Sequence, residues 1–211
     1  MNKLKLIKFR SLGSDNEFKR IKEILKTNKF WCSKLWNLND PMEGVYRNSF
    51  FNSDDIFEMF TEKNNKIICS FSHITALNNN LLWGYYANGF KGVAIEIEIN
   101  EIEIKKMNYF NIQVFNQNLH NVDDIITRKL KDWEHEQEYR FICDSSKDKK
   151  CKIGKITKVY FGSPYDNTNN RENIEDNSPM LRKYDYLKRE LQLLCKDLRI
   201  ATENFNHARV E

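Results

Sequence analysis

The chain has 211 residues, 40% of them hydrophobic and 13% aromatic, with only 7 glycines and 3 prolines. That is enough apolar material for a core, and it excludes a disordered, collagen-like or repeat-array chain. Lys and Arg number 34 against 30 Asp and Glu, a net charge of +4 that permits nucleic-acid binding without indicating it.

Leu4 to Arg10 reads as a first strand, with Lys5, Ile7 and Phe9 on one face. Ser14 or Asp15 then caps a helix carrying Phe18, Ile21, Ile24 and Leu25 at helical spacing. Lys29 to Ser33 is a short aromatic strand, and Asn37 to Pro41 a turn-rich loop in which Asn39-Asp40-Pro41 is a structural turn, with Glu43 just beyond it. Ser53 caps a helix through Ile56, Phe57 and Phe60. Lys66 to Ser72 is a central-strand candidate, Leu81 to Asn88 a short helix ended near Gly89, and Gly92 to Ile99 a strand with clean alternation. Met107 to Phe115 reads as extended. Val122 to Trp133 reads as a helix, with Asp123 and Asp124 in its first turn, where negative charge suits the helix dipole. A Glu-rich strand follows, then a solvated turn at Lys147 to Lys150 and a strand over Lys155 to Gly162. Pro164 to Ser178 reads as a polar loop. Ser178-Pro179 opens a long helix that turns Leu181, Tyr184, Leu187, Leu191 and Leu194 inward, and a last short strand runs through Ile200. No linker, internal repeat, βαβ alternation or glycine-rich phosphate loop is present. The expected fold is one α+β domain over residues 1–211, a mixed and mostly antiparallel sheet with flanking helices.

No apolar run approaches the roughly 18 residues needed to cross a bilayer, and Met1 to Lys8 lacks the apolar segment of a secretory signal. Cys32, Cys69, Cys143, Cys151 and Cys195 are odd in number and scattered, with no C-x-x-C pair, so no metal site is expected. Cys32, Cys69 and Cys143 sit in apolar strand-like runs and are expected to be buried thiols of a reducing compartment. A cytoplasmic protein without a membrane partner is therefore expected. Its abundant Asn, Lys and Ile suit an AT-rich bacterial genome.

The chemistry-bearing stretch is Trp133 to Cys143. If Glu136 to Ile142 is extended, Glu136, Glu138 and Arg140 share one face, and Gln137, Tyr139 and Phe141 the other. Two carboxylates at that spacing can act on one substrate, one holding a sugar hydroxyl and the other taking a proton. The same spacing recurs at Glu96/Glu98, Glu101/Glu103 and Glu134/Glu136, which fits a solvated strand face, and Arg140 fits an ion-pair partner of Glu138. Upstream stand Arg10 and Ser11 near the end of the first strand, and Ser70-Phe71-Ser72 at the end of a central one. His73, His135, Tyr85 and Trp83 have ordinary surface or packing readings.

The order Arg, Ser-x-Ser, Glu-x-Glu resembles the signature of ADP-ribosyltransferases of the Arg–Ser–Glu class. Phe71 stands where that class has Thr. The chain also resembles the bacterial family called domain of unknown function 2971. That likeness rests on Lys8 to Leu12, Leu38 to Gly44, Cys69 to Ser72, Leu81 to Ala87, Lys91 to Val93 and Trp133 to Arg140. The transferase resemblance implies an ADP-ribosyltransferase-like fold and NAD as the dinucleotide. It implies Glu138 as the catalytic carboxylate at the ribose 2′-hydroxyl and Glu136 as the group that activates the acceptor. It further implies Arg10 on the phosphates, Ser70 and Ser72 positioning Glu138 and the ribose, the Ser11 backbone at the nicotinamide amide and Tyr86 (or Tyr85) stacked on the nicotinamide ring. The acceptor would be a protein, RNA or DNA, with an antitoxin or regulatory partner, as in a toxin or phage-defence effector. The other expectation is a non-catalytic nucleic-acid or protein binding module, motivated by the slight basic excess and the abundant Tyr and Phe.

Overall fold

A computed structural model describes residues 2–40, 53–111, 122–145, 149–164 and 178–205. The expectations for residues 41–44, for the extended stretch beyond Asn111, for most of the Pro164 to Ser178 loop and for residues 147–148 lie outside the described residues. In chain order the elements are β1 (Lys3–Ser11), α1 (Asp15–Thr27), β2 (Lys29–Trp31), α2 (Ser53–Asn65), β3 (Lys66–His73), α3 (Asn80–Tyr86) and β4 (Gly92–Asn100). There follow β5 (Lys105–Lys106), β6 (Asn108–Phe110), α4 (Val122–Ile126), β7 (Arg128–Leu130), β8 (Glu138–Asp144), β9 (Lys150–Lys152), β10 (Lys155–Gly162), α5 (Pro179–Asp197) and β11 (Ala201–Phe205). The chain is α+β, with mixed and mostly antiparallel strand pairing. Among the described residues, no helix is long and apolar enough to cross a membrane.

The chain forms two compact units. Unit 2 comprises Lys3–Lys29, His73–Ile99 and Lys152–Glu211. Its strands run in the order β11, β10, β4, β1. β10 lies parallel to β11, from Lys158 opposite Ala201, and antiparallel to β4, from Lys155 opposite Glu98. Ser14 caps α1 by accepting from the Glu17 N–H at 3.3 Å, and the Glu17 carboxylate accepts from the Gly13 N–H at 2.8 Å. This reciprocal arrangement satisfies donors that the first helical turn leaves open. Trp83 anchors the core. It is wholly buried, edge-on to Phe9 at 5.2 Å and stacked between Phe90 at 5.6 Å and Phe205 at 5.0 Å. Its indole N–H donates to the Leu77 carbonyl at 2.8 Å, so burial strands no polar atom. On α5 the inward set is Leu181, Tyr184, Leu187, Leu191 and Cys195, with Leu194 only half-buried.

The alternation expected of β4 holds for its geometry and fails for its solvation, because Glu96 is buried. Tyr160 and Thr157 donate to its two oxygens at 2.8 and 2.7 Å, and Lys5 stands 3.2 Å away. Burial opposes ionisation here, but these donors outweigh it and hold the carboxyl below its ordinary range.

Unit 1 comprises Met1–Asn2, Phe30–Ser72 and Asn100–Cys151. β3, β8 and β5 lie side by side, β2 pairs with β9, and β6 runs parallel to β7. β8 is antiparallel to both β3 and β5. Leu35, Met59, Ile68, Val122, Ile125 and Ile126 form one apolar cluster. The expected Val122 to Trp133 helix stops after Ile126. Lys129 is buried on β7, and Lys131–Glu136 forms a 3-10 turn. Pairing with β6 and burial of one cationic side chain override the local helical pattern.

Candidate active site

β3 and β8 position the site. Their register sets Ser72 opposite Glu138 and Ser70 opposite Arg140. Directly opposed residues of an antiparallel pair share a face, so both serines, Glu138 and Arg140 stand on one side. Cys69, Phe71, Tyr139, Phe141 and Cys143 stand on the other.

The strand expected to begin at Glu136 begins at Glu138. Glu136 ends the 3-10 turn, and Gln137 takes a left-handed conformation with φ 46°. The two carboxylates are therefore not joined by strand alternation. They meet because one ammonium sits between them. Lys129 Nζ lies 2.7 Å from Glu136 Oε2 and 3.1 Å from Glu138 Oε2. Arg140 Nε lies 2.8 Å from Glu138 Oε1, its Nη2 3.3 Å from Oε2, and its Nη1 donates to the Ile126 carbonyl at 2.6 Å. The expected strand ion pair between Arg140 and Glu138 is thus present.

Exposure decides against the solvated-face reading of these acids. Glu136 is 5% exposed, Glu138 3%, Lys129 4% and Arg140 1%. Two carboxylates and two cations neutralise one another out of water, the condition under which buried charges are tolerated. Burial alone would raise the Glu138 carboxyl. Arg140 and Lys129 beside it, with a hydrogen bond from Ser70, hold it down to about 2. Its backbone N–H donates to the Tyr109 hydroxyl at 2.8 Å. Burial pushes the Tyr109 phenol up, and the neighbouring Glu138 charge adds to that rise. Lys129 also lies over the Trp133 ring at 4.8 Å, which makes Trp133 part of the wall around the network.

Ser70, Ser72, Glu136 and Glu138 therefore all belong to unit 1, with Ser70 bonded to Glu138 and Ser72 facing it. Arg10, Ser11 and Tyr86 belong to unit 2. Arg10 and Ser11 close β1 as expected, and the Ser11 hydroxyl bonds the Glu17 carboxylate at the start of α1. Tyr86 ends α3 partly buried against the Trp83 cluster, whereas Tyr85 is 68% exposed. His73 accepts from the Thr75 N–H as the cap of a 3-10 turn, and His135 bonds the Asp132 carbonyl.

Lys129 and Tyr109 are the members that sequence reasoning missed. Lys129 was hidden by a helical reading of its segment. The available signal was a lysine flanked by the apolar Ile125, Ile126 and Leu130, ahead of an acidic pair that lacked a second cation. No protein-family model, curated protein or solved structure matches the chain.

Proposed function

We propose that this chain is an NAD-dependent ADP-ribosyltransferase with an ADP-ribosyltransferase-like fold, acting on a protein or nucleic-acid acceptor. The observation that carries the reading is the hydrogen bond from Ser70 to the Glu138 carboxylate across β3 and β8, the role expected of the Ser-x-Ser pair. The second acid, Glu136, is tied to the first through Lys129.

The reaction breaks the bond between ribose C1′ and the nicotinamide nitrogen, and the bonding pair leaves with the nitrogen. An acceptor oxygen or nitrogen then bonds C1′ and gives up its proton. Positive charge builds on the sugar in between, and a permanently ionised carboxylate stabilises it electrostatically. Glu138 is such a group, since Arg140 and Lys129 keep it ionised at any physiological pH. Glu136 is the base that takes the acceptor proton. Four donors already meet Glu138: Arg140 twice, Lys129 and Ser70. That fills the roughly four lone-pair directions of a carboxylate. A ribose 2′-hydroxyl must therefore replace one donor, and Lys129, on its flexible stem, is the one that can swing aside. The assignment of Arg10 to the phosphates, Ser11 to the nicotinamide amide, Tyr86 (or Tyr85) to the nicotinamide ring and Ser72 to the ribose rests on the resemblance to the Arg–Ser–Glu transferases. So does the effector role with an antitoxin or regulatory partner.

The saturation of Glu138 also favours a second reading, in which the network is purely structural and the chain is a binding module. Label transfer from NAD to protein, RNA and DNA acceptors separates the two. The transferase reading expects transfer or NAD hydrolysis by the unaltered chain, reduced on the order of 10²–10³ in Glu138→Gln. Equal activity in both proteins removes Glu138 from the catalytic role, and no activity in either supports the binding module.

A further inference from the structure

The face of β3 and β8 opposite the ion network carries thiols. Ile67 stands opposite Cys143, so Cys69, two residues along β3, is its diagonal neighbour on the same side. Ser33 exchanges both backbone hydrogen bonds with Ile68 at 2.8 Å, and continuing that register sets Cys32 opposite Cys69. Cys151 comes from β9 and reaches Cys143, with the two sulfurs 3.6 Å apart. The sulfurs of Cys32, Cys143 and Cys151 all lie within 4.8 Å of one another. The Cys32 thiol also hydrogen-bonds those of Cys69 and Cys151. Four of the five cysteines thus converge from four separate segments.

We infer that Cys32, Cys143 and Cys151, whose sulfurs lie within 4.8 Å of one another, hold a single zinc ion in a tetrahedral thiolate site, with Cys69, a hydrogen-bond partner of Cys32, as the fourth ligand. This inference is independent of the transferase reading. Zinc–thiolate bonds of about 2.3 Å at tetrahedral angles place sulfurs about 3.8 Å apart, close to the 3.6 Å between Cys143 and Cys151. A disulfide needs about 2.05 Å and uses two thiols, whereas here three are mutually close. A multi-iron cluster needs room for bridging sulfides, and the sulfurs of Cys32, Cys143 and Cys151, within 4.8 Å of one another, leave space for one ion. Soft thiolates favour zinc over hard cations such as magnesium or calcium. Four thiolates around a dication leave two net negative charges. Lys149, Lys150 and Lys152 flank Cys151 in the sequence and make the segment that carries it basic. The Cys32 N–H donates to the Lys149 carbonyl at 2.7 Å, which ties two ligand-bearing segments together. The site would clamp β2, β3, β8 and β9 as a structural centre.

The test starts with the metal content of the full chain purified without chelator, followed by replacement with cobalt(II). The expected result is one zinc per chain and, with cobalt, the intense ligand-field and sulfur-to-metal absorption of a tetrahedral thiolate site. Cys151→Ser, at a partly exposed position, should lose stoichiometric zinc and shift the cobalt spectrum. Cys195→Ala, outside the cluster, should change neither. A chain that is folded by circular dichroism but holds no zinc and gives an octahedral cobalt spectrum would overturn the inference. So would iron with an iron–sulfur chromophore, or the loss of two hydrogens in mass from a Cys143–Cys151 disulfide in freshly prepared protein. The metal content and spectrum of the unaltered chain decide the matter even if a variant fails to fold.

Discussion

Ser70 reaches the Glu138 carboxylate from the neighbouring antiparallel strand, one diagonal step away from the directly opposed Ser72. The contact depends on the β3–β8 register, since a one-residue slip would move every side chain to the other face. Ser70→Ala removes a hydrogen bond to a buried charge, an interaction worth about 1.5–3 kcal/mol. The expected outcome is a loss of that order in urea unfolding and a Glu138 pKa that moves up. Under the transferase reading, NAD turnover falls as well. Unchanged stability and unchanged acid sensitivity would show that the hydroxyl bonds water as well as it bonds Glu138.

Acid sensitivity follows from the same carboxylate. Glu138 is held at about 2 in the folded chain against an ordinary 4.5. Between those values the unfolded chain binds more protons than the folded one, so stability rises with pH there. The contribution is fully present above about pH 4.5 and is lost as pH falls toward about 2. Urea midpoints measured across that window should fall more steeply in the unaltered chain than in Glu138→Gln. A residual slope should remain in the variant, because Glu96 and Glu17 are also held low by hydrogen bonds that outweigh the cost of burial.

Lys129 bridges two buried acids, so its removal leaves charge without a partner. Lys129→Met is expected to destabilise unit 1 by about 3–5 kcal/mol, the range for breaking a buried pair from one side. Adding Glu136→Gln to Lys129→Met removes one of the stranded charges and should restore part of the loss. A double-mutant cycle in urea checks this. Additive effects of the two substitutions would contradict the 2.7 Å contact between Lys129 and Glu136.

Local signals were strong where one element decided its own structure. Of the expected α1 caps, Ser14 or Asp15, Ser14 takes the role, Ser178-Pro179 marks the start of α5, and the apolar runs of β3, β4 and β10 appear within a residue of where the pattern set them. The site was legible in part. Glu138 and Arg140 fall on one strand face because a period of two needs only the sequence, whereas bringing Ser70 and Ser72 to that face takes the β3–β8 register. What failed depended on distant partners. Lys129 is drawn into β7 by pairing with β6 and by two acids further along the chain, and the turn at Glu136–Gln137 serves that contact. The thiols escaped for the same reason. Spacing rules detect ligands that are neighbours in sequence, whereas Cys32, Cys69, Cys143 and Cys151 become neighbours only through sheet register.

The end of β1, which carries Arg10 and Ser11, is packed against a glycine that has little freedom to change. A Cβ on Gly92 would stand 2.4 Å from the Arg10 carbonyl oxygen and 2.8 Å from Ala87. These obstacles are backbone and a short side chain, so they cannot rotate away. Gly92→Ala is therefore expected to lower stability by about 1–3 kcal/mol, as overpacking does. Gly84 makes the matched control. It sits in α3, and a Cβ there meets nothing within 4 Å. Gly84→Ala should raise stability by roughly 0.5–1 kcal/mol, through the backbone entropy that glycine gives up on folding into a helix. Thermal unfolding of the two variants beside the unaltered chain reads both signs. Equal shifts for the same chemical change would contradict the close approach of β1 and β4 at Gly92.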